Sequence, residues 1–307
     1  MAGKPKSAEM HPGPGFRIRE KIDRPRKETI AAFGAFDTPA ISDLMNRLYA
    51  MTPAIKNLTD QHLRLLGPAT TVKCYPGDNL MVHKALDIAS PGDVIVVDTS
   101  GQQNTAVLGD LVSTKARHRG VAGFLVDGLV RDIAGIRSLG DFPVYARDVT
   151  PIGPLHRGPG EINFPVSAGG IVVQPGDVIV GDSNGVVVVP QDIADEMVRR
   201  LTAQKAAESD YTAAVARGEF TNSWVDQTLE EAGVPKVNGV NGGVELRLAS
   251  GVNADLSING VNGRMTVEAP NVEVQEQKRN KLRARIGTGG ADIRVNGVNG
   301  GVRLVGV

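Results

Sequence analysis

The sequence is poor in cysteine and has no net charge. Cys74 is the single cysteine among 307 residues, which excludes an intramolecular disulfide and a metal site built from several thiolates, and which fits a reducing cytoplasm. Lys and Arg together number 34, as do Asp and Glu together. The charge balance therefore favours neither a nucleic acid nor an anionic membrane as a partner.

Long apolar runs are also missing. No run approaches the roughly 18 to 20 residues that a membrane helix needs, and the N-terminal residues lack the hydrophobic stretch of a signal peptide. We therefore expect a soluble, cytoplasmic protein without a membrane partner.

Several metal-binding and catalytic signatures are absent as well. The sequence has no nucleophile-elbow, Walker or dinucleotide-binding fingerprint. His118 lies in a basic helical stretch that we interpret as a solvated or subunit-facing surface. The histidines show no spacing typical of a zinc site, so a histidine-based zinc site is not expected. They are His11, His62, His83, His118 and His156.

Composition divides the chain into an N-terminal arm, a central domain and a C-terminal tail. Residues 1–23 are rich in Lys, Arg, Pro and Gly and are predicted to form a flexible basic arm, which we interpret as solvated or draped over a neighbouring subunit rather than bound to RNA. In residues 24–234, short β-branched runs bounded by Gly, Pro or Asp alternate with helical stretches. This pattern predicts a mixed α/β domain, in which Asp37 or Thr38 caps a helix with Pro39 in its first turn.

The third part, residues 235–307, has a different composition. The phrase Asn-Gly-Val-Asn-Gly begins at Asn238, Asn259 and Asn296, and each copy precedes alternating apolar and polar residues. Because Asn and Gly tolerate positive φ, this phrase is a strong hairpin or solenoid-turn signal. We predict a small all-β repeat tail, which resembles the terminal rungs of bacterial adhesin-like β-solenoids and which we interpret as a structural or interaction module.

The segment from Gly109 to Ile136 carries the candidate chemistry. Gly109 permits close approach of the backbone, and the free N–H groups of the helix start that follows can receive a carboxylate. Arg131 can grip a planar oxo acid or enolate. Asp132 is a hard oxygen ligand suited to Mg²⁺ or Mn²⁺, and Asp110 supplies a second carboxylate that can act through water. The alternative is that Arg131 and Asp132 are only a surface cation and a helix cap.

Other aspartates end predicted strands. Asp98 and Asp182 can either line the same cleft or cap loops. Asp127 precedes Gly128 and is expected to organise the turn that follows its strand.

The spacing of the candidate residues resembles that of a known family. Twenty residues separate Asp110 from the Arg131-Asp132 pair, and this spacing occurs together with the phrases TPAISDLMNRL from Thr38, GPATTV from Gly67 and GDVIVGDSNGVVVVP from Gly176. The combination resembles the RraA-like family, which includes the class II 4-hydroxy-4-methyl-2-oxoglutarate/4-carboxy-4-hydroxy-2-oxoadipate aldolases. The resemblance implies a layered β/β/α sandwich of the swivelling-domain type, assembled as a homotrimer or a hexamer with active sites near subunit interfaces.

Carried onto this sequence, the resemblance implies a metal-dependent lyase. Asp132 would coordinate Mg²⁺ or Mn²⁺, Arg131 would bind the substrate and the pyruvate enolate, and Asp110 would position or deprotonate a water. The substrate carboxylate would be held by backbone amides of Gly109, Asp110, Leu111 and Val112. A small 2-oxo acid such as 4-hydroxy-4-methyl-2-oxoglutarate would be cleaved to pyruvate and a second oxo acid. Oxaloacetate would be decarboxylated as a side reaction, because its decarboxylation leaves the same enolate.

The resemblance also implies an alternative class of function. Some RraA proteins bind and inhibit ribonuclease E without needing aldolase chemistry. The regulator-type sequences commonly carry Glu at the position of Asp110, so Asp110 favours the enzyme. A third alternative is a 2-oxo acid lyase with a different substrate, because the sequence contains no readable specificity pocket.

Overall fold

A computed structural model describes residues 10–233, 237–238, 243–296 and 300–306 of the chain. The chain divides into two compact units between Asp210 and Tyr211. This division lies before residue 234, where composition places the end of the α/β domain. None of the helices in the described part of the chain is both long enough and apolar enough to cross a lipid bilayer.

The first unit alternates strands and helices, as its composition predicts. Its strands are β1 (Phe16–Ile18), β2 (Lys56–Asn57), β3 (Leu65–Cys74), β4 (Val94–Asp98), β5 (Gly123–Val130), β6 (Val144–Val149), β7 (Gly160–Ile162), β8 (Val166–Ala168), β9 (Ile171–Val173), β10 (Val178–Asp182) and β11 (Gly185–Val189). Its helices are α1 (Lys27–Ala32), α2 (Thr38–Leu44), α3 (Leu80–Ile88), α4 (Asp110–His118), α5 (Ile133–Arg137) and α6 (Ala194–Ala207). Helix α7 (Ser209–Ala216) spans the division, and α8 (Ser223–Glu231) follows it.

Nine strands form the central sheet. Their order is β1-β7-β3-β4-β5-β6-β2, with β10 bonded to β3 and β11 bonded to β10. Strands β3, β4, β5 and β6 run parallel to one another. Successive residues of a strand face opposite sides of a sheet, and Ile95 and Phe124 accordingly join a core with α3 and α4, whereas Val96 and Leu125 join a core with β8 and β9. The mixed α/β prediction is confirmed, with helices on one face of the sheet and a second layer of strands on the other.

This topology brings two helix starts to one edge of the sheet. Helix α4 follows β4 and helix α5 follows β5, and the carboxyl ends of parallel strands share an edge. Beyond that edge, the segment before α4 is joined by backbone hydrogen bonds to the segment before α5. Val107 donates its N–H to Leu129 O at 3.0 Å, and Arg131 donates its N–H to Leu108 O at 3.0 Å. Gly109 and Arg131-Asp132 are therefore neighbours in space.

Part of the predicted N-terminal arm forms a strand. Strand β1 pairs in parallel with β7, and Arg17 donates from Nε to Glu161 Oε1 at 2.6 Å. Arg17 also lies 3.8 Å from the centre of the Phe164 ring. These partners are more than a hundred residues away in the chain, so the composition of the arm could not reveal them; residues 1–9 lie outside the described residues.

The predicted cap of helix α2 comes from elsewhere in the chain. Asp37 occupies the N-cap position but makes no side-chain hydrogen bond to the helix. Instead, Thr38 donates its N–H to Asp182 Oδ2 at 2.8 Å and its hydroxyl to Asp182 Oδ1 at 2.7 Å. Asp182 therefore caps helix α2, which the sequence did not predict. It also accepts the N–H of Asn184 at 2.8 Å, which agrees with its loop-capping interpretation.

The second unit is β-rich over its C-terminal part. Its strands are β12 (Val237–Asn238), β13 (Val244–Leu248), β14 (Ala254–Asn259), β15 (Met265–Glu268), β16 (Val272–Lys278), β17 (Lys281–Ile286), β18 (Ala291–Asn296) and β19 (Val302–Gly306). They form one sheet ordered β12-β13-β19-β15 and another ordered β16-β17-β14-β18. The predicted all-β character of the tail is confirmed, whereas its division into repeats stays a prediction.

The described copy of the Asn-Gly-Val-Asn-Gly phrase connects two sheets. Strand β14 ends at Asn259, Gly260 has a φ of 75°, and β15 continues in the other sheet. The phrase therefore does not form a hairpin here, because β14 and β15 do not pair. The copies at Asn238 and Asn296 continue into residues outside the described ones.

Candidate active site

The six predicted site residues line one cleft of about 260 Å³ at the edge of the sheet where α4 and α5 begin. Gly109, Asp110, Leu111 and Val112 lie at the start of α4, and Arg131 and Asp132 lie between β5 and α5. The same cleft is lined by Asn79, His83, Leu108, Lys115, Pro154 and His156.

A larger hollow of about 480 Å³ lies beside Ile136 and Phe142 and contains none of the predicted residues. Its charged side chains already have local roles. Arg137 donates to Leu58 O at 2.8 Å, and Asp60 accepts the N–H of His62 at 2.8 Å. The predicted site residues therefore all lie in the smaller cleft.

Asp132 has a left-handed backbone conformation. Its φ of 52° and ψ of 39° are values that few residues other than glycine, asparagine and aspartate adopt. Asp132 occupies the N-cap position of α5 but makes no side-chain hydrogen bond to the helix. Helix capping therefore does not explain the residue, and its carboxylate is available at the cleft.

Gly109 makes room for the Asp132 carboxylate. A Cβ atom at position 109 would lie 2.4 Å from Asp132 Oδ2 and 3.1 Å from Arg131 Cγ, so any larger residue would displace both side chains. Asp132 Oδ2 also lies 3.2 Å from Arg131 Nε, with both side chains a little over two-fifths exposed. The close backbone approach that the sequence predicts at Gly109 is thus an approach to the Arg131-Asp132 pair.

Asp110 and Arg131 are each packed against a further glycine. A Cβ atom at Gly135 would lie 2.7 Å from Asp110 Oδ2, and one at Gly153 would lie 2.6 Å from Arg131 Nη1. Asp110 Oδ1 accepts the N–H of Leu111 at 2.7 Å. The amide of Leu111, which the resemblance assigns to the substrate, is therefore occupied by the neighbouring carboxylate in this structure.

Four polar residues of the cleft were missed by the sequence analysis. They are Asn79, His83, Lys115 and His156. Asn79 and His83 stand four residues apart at the start of α3, a spacing that places side chains on one face of a helix. That spacing was the available signal, but nothing in the sequence connects it to a loop residue such as His156.

The imidazoles of His83 and His156 lie close together. Their ring centres are 5.5 Å apart, with the rings nearly perpendicular. Burial, and then the neighbouring His156 and Lys115, lower the pKa of His83 from its ordinary value. His83 is therefore predominantly neutral at neutral pH.

The acidic side chains of the cleft fit a hard, water-retaining cation. Within the described residues, no group of three or more His, Cys, Asp or Glu side chains is arranged to hold a metal ion. The cleft instead offers the carboxylates of Asp110 and Asp132. A carboxylate or two with water in the remaining positions is the usual coordination of Mg²⁺, and Mn²⁺ accepts the same oxygen ligands.

The other aspartates singled out from the sequence do not line this cleft. Asp98 accepts the N–H of Ser100 at 2.7 Å. Asp127 pairs with Arg147 and accepts the N–H of Gly169 at 2.8 Å. Asp98 therefore caps the loop after its strand, which was one of its two sequence interpretations. The predicted role of Asp127 in a turn after its strand is wrong, because Gly128 lies inside β5 and the partners of Asp127 come from β6 and from the turn between β8 and β9.

Comparison with known proteins identifies the family of the first unit. Residues 38–188 match the family described as RraA-like, Aldolase/RraA. A Halalkalibacterium halodurans protein with the provisional name 4-hydroxy-4-methyl-2-oxoglutarate aldolase is 41% identical over 177 residues, which cover 58% of this chain and 83% of the relative. An uncharacterised protein of Methanocaldococcus jannaschii is 35% identical over 166 residues, covering 54% and 79%.

Solved structures agree with this assignment. A crystal structure of an uncharacterised Pseudomonas syringae protein superimposes with a TM-score of 0.58 at 28% identity, covering 65% of this chain and 97% of the other. Streptomyces coelicolor RraAS2, described as an unusual member of the RNase ES inhibitor RraA protein family, superimposes with a TM-score of 0.55 at 28% identity, covering 62% and 99%. The chain belongs to the RraA-like family.

Proposed function

We propose that the first unit is a divalent-metal-dependent lyase, which cleaves 4-hydroxy-4-methyl-2-oxoglutarate or a related 4-hydroxy-2-oxo diacid to pyruvate and a second oxo acid. The observation that carries this proposal is the position of Asp132. Its backbone is left-handed, its side chain does not cap α5, and its carboxylate lies beside Arg131 in a cleft that Asp110 also lines. The provisional aldolase name of a relative 41% identical to this chain supports the same reaction class.

Each residue has a proposed role that follows from its chemistry. Asp132 would hold a Mg²⁺ or Mn²⁺ ion, which when bound would polarise the 2-oxo group of the substrate and offset developing negative charge. Arg131 would bind the 2-oxo acid end of the substrate with its planar guanidinium. Backbone N–H groups at the start of α4 would donate hydrogen bonds to the carboxylate of that end. Asp110 would have to turn away from the Leu111 N–H for that amide to take part.

The proposed reaction is a retro-aldol cleavage. The proton of the C4 hydroxyl is transferred to a base, for which Asp110 acting through a water is the candidate. The C3–C4 bond then breaks, and its electron pair forms the enolate of pyruvate, which Arg131 stabilises by charge. Protonation of C3 completes pyruvate. Loss of CO₂ from oxaloacetate leaves the same enolate, so we propose oxaloacetate decarboxylation as a side activity.

Pyruvate release tests the proposal directly. Release from 4-hydroxy-4-methyl-2-oxoglutarate is followed with lactate dehydrogenase, before and after EDTA and after Mg²⁺ or Mn²⁺ is restored. We expect activity that EDTA removes and that either metal restores. Asp132→Asn, which tolerates the left-handed backbone, should lose this activity, while Asp192→Asn in the exposed turn after β11 should keep it. Turnover that survives EDTA, or a fully active Asp132→Asn variant, would contradict the proposal.

A second candidate function rests on the likeness to Streptomyces coelicolor RraAS2. In this alternative the first unit binds ribonuclease E and inhibits it. The discriminating result is co-purification with the ribonuclease and inhibition of its RNA cleavage, combined with no pyruvate release from any 2-oxo acid tested.

Two further proposals concern assembly and the tail. We propose a homotrimer or a hexamer for the first unit, and an adhesin-like structural or interaction role for residues 235–307. Light scattering on the full chain and on a chain ending at Val234 tests the assembly and shows whether the tail takes part in it. We expect the same trimer or hexamer from both chains, whereas a monomer in either case would contradict the proposed assembly.

A further inference from the structure

Three nitrogen-bearing side chains that the proposed chemistry does not use line the same cleft. They are His83 on α3, Lys115 on α4 and His156 in the loop before β7. The His83 and His156 rings are 5.5 Å apart, and Lys115 is close enough to act on the charge state of His83. The cleft therefore gathers one ammonium and two imidazoles beside the Arg131-Asp132 pair.

Lys115 differs from the basic side chains around it. Lys84 and Arg119 both pair with Asp87, and Arg117 pairs with Asp141. Within the described residues, no ion pair involves Lys115. A lysine that borders a cleft without a carboxylate partner can accept one from a ligand at little cost, because no existing ion pair has to break.

Asn79 fixes the orientation of His156. The Asn79 side chain is almost fully buried and donates from Nδ2 to Val107 O at 2.7 Å. Its Oδ1 is therefore the atom that lies 2.6 Å from His156 Nδ1. Because Oδ1 can only accept, Nδ1 of His156 carries the proton. This hydrogen bond holds the ring in place and leaves Nε2 as its remaining polar atom.

The charges of the cleft match a dianion. Arg131 and Lys115 balance Asp110 and Asp132, so a divalent cation held at Asp132 would leave an excess of two positive charges. A 2-oxo monoacid would neutralise half of that excess, whereas a 2-oxo diacid would neutralise all of it. Arg131 and the start of α4 provide for one carboxylate, and the unpaired Lys115 remains for the other.

We propose that Lys115, together with His83 and His156, binds the distal carboxylate of a dicarboxylic 2-oxo acid and makes the protein select diacids over monoacids. This inference rests on the proposed function for the position of the other end of the ligand. Lys115 supplies the charge, and the two imidazoles supply hydrogen bonds next to it. Lys115 is thus a specificity-determining residue rather than a participant in bond cleavage.

A matched pair of stable ligands tests the selectivity. 2-Oxoglutarate and 2-oxopentanoate have the same length and differ in one terminal group, which is a carboxylate in the first and a methyl in the second. Their dissociation constants are measured by calorimetry on the full chain in Mg²⁺ buffer. We expect the wild-type protein to prefer 2-oxoglutarate by on the order of 10-fold or more, the value of a hydrogen bond to a charged group.

Three variants separate Lys115 from a general loss of positive charge. Lys115→Met keeps the aliphatic stem and should abolish the preference by weakening 2-oxoglutarate alone. Lys115→Arg should retain most of the preference. Lys84→Met removes a lysine of α3 that already has a partner, and it should leave both dissociation constants unchanged.

Nuclear magnetic resonance of the histidines gives a second readout that does not depend on turnover. A carboxylate placed beside His83 favours the imidazolium, so 2-oxoglutarate should raise the pKa of His83. 2-Oxopentanoate should leave it unchanged, and in Lys115→Met the effect of 2-oxoglutarate should shrink with the loss of affinity.

The outcomes distinguish this inference from the proposed function. Equal weakening of both ligands in Lys115→Met, an unchanged preference in that variant, or no preference in the wild type would overturn the inference, even if pyruvate is released. Selective binding of 2-oxoglutarate that depends on Lys115 supports the inference, and a failure to release pyruvate by the same preparation would overturn the lyase proposal alone.

Discussion

The left-handed backbone of Asp132 makes an unusual prediction about glycine and alanine. At most helix-associated positions alanine is the more stabilising of the two, by about 1 kcal/mol. At position 132 the φ of 52° reverses this order, because this conformation destabilises folded alanine by about 1 to 2 kcal/mol and does not destabilise glycine. The greater freedom of glycine in the unfolded chain reduces that advantage by about 0.5 to 1 kcal/mol. We therefore expect Asp132→Gly to be more stable than Asp132→Ala by about 0.5 to 1 kcal/mol.

Comparing the two variants with each other removes the other effects of the substitution. Both lose the carboxylate, so both lose the ion pair with Arg131 to the same extent. Ala134 is the matched control, because it lies two residues further on in right-handed helix α5 and is exposed. Ala134→Gly should destabilise the protein by about 1 kcal/mol, which is the opposite sign.

Cys74 provides an assay that reports the first unit alone. It is the single cysteine of the chain, it lies in β3 and is 2% exposed, and burial raises the pKa of its thiol. A short pulse of thiol reagent along a urea gradient should therefore label it only where the first unit has unfolded. An Asp132→Ala variant as stable as Asp132→Gly would refute the argument that position 132 is strained.

Three other substitutions have expected outcomes. Burial acts to raise the pKa of Asp182, but hydrogen bonds from Thr38 and Asn184 outweigh it and hold that pKa below its ordinary value. The associated stability is therefore present above the unfolded-state pKa and is lost as pH falls through the lower folded-state value. Asp182→Asn should cost about 1 to 2 kcal/mol at neutral pH, and the difference in urea midpoint should shrink below about pH 4. Gly109→Ala should lower kcat/KM by at least about 10-fold while the urea midpoint changes little, since it displaces the Arg131-Asp132 pair. Arg131→Lys should also lower kcat/KM, because a lysine cannot reproduce the planar two-point contact; unchanged kinetics in either variant would count against the assigned cleft.

The sequence predicted the parts of the fold that depend on local pattern. Strand β4, within the run DVIVVDTS, and strand β5, within GFLVDG, were recognisable because β-branched runs between Gly, Pro and Asp are typical of buried strands. The helix start after Gly109 was recognisable in the same way. The shared site of Asp110, Arg131 and Asp132 was instead an implication of the resemblance to the RraA-like family, and the structure places the three residues in one cleft.

Features that depend on distant partners could not be predicted. The cap of α2 comes from Asp182, 144 residues after Thr38. Strand β1 depends on a pairing with β7 and on Glu161. The orientation of His156 depends on Asn79, 77 residues earlier. In each case the local sequence fits an ordinary loop or arm, and the deciding hydrogen bond exists only in the folded chain.

The glycines around the cleft help to distinguish between two interpretations of it, an active site and a purely structural turn. Gly109, Gly135 and Gly153 each lie where a Cβ atom would come within 2.4 to 2.7 Å of a side-chain atom of Asp132, Asp110 or Arg131. Each glycine costs about 0.5 to 1 kcal/mol of chain entropy relative to alanine. A helix cap or a surface cation requires none of this, because a right-handed backbone with ordinary side chains would serve. Inhibition of a ribonuclease by surface contact does not require it either, whereas an arrangement that keeps two carboxylates and a guanidinium open to a ligand does. The stability given up at this one edge of the sheet therefore favours the lyase over the regulator.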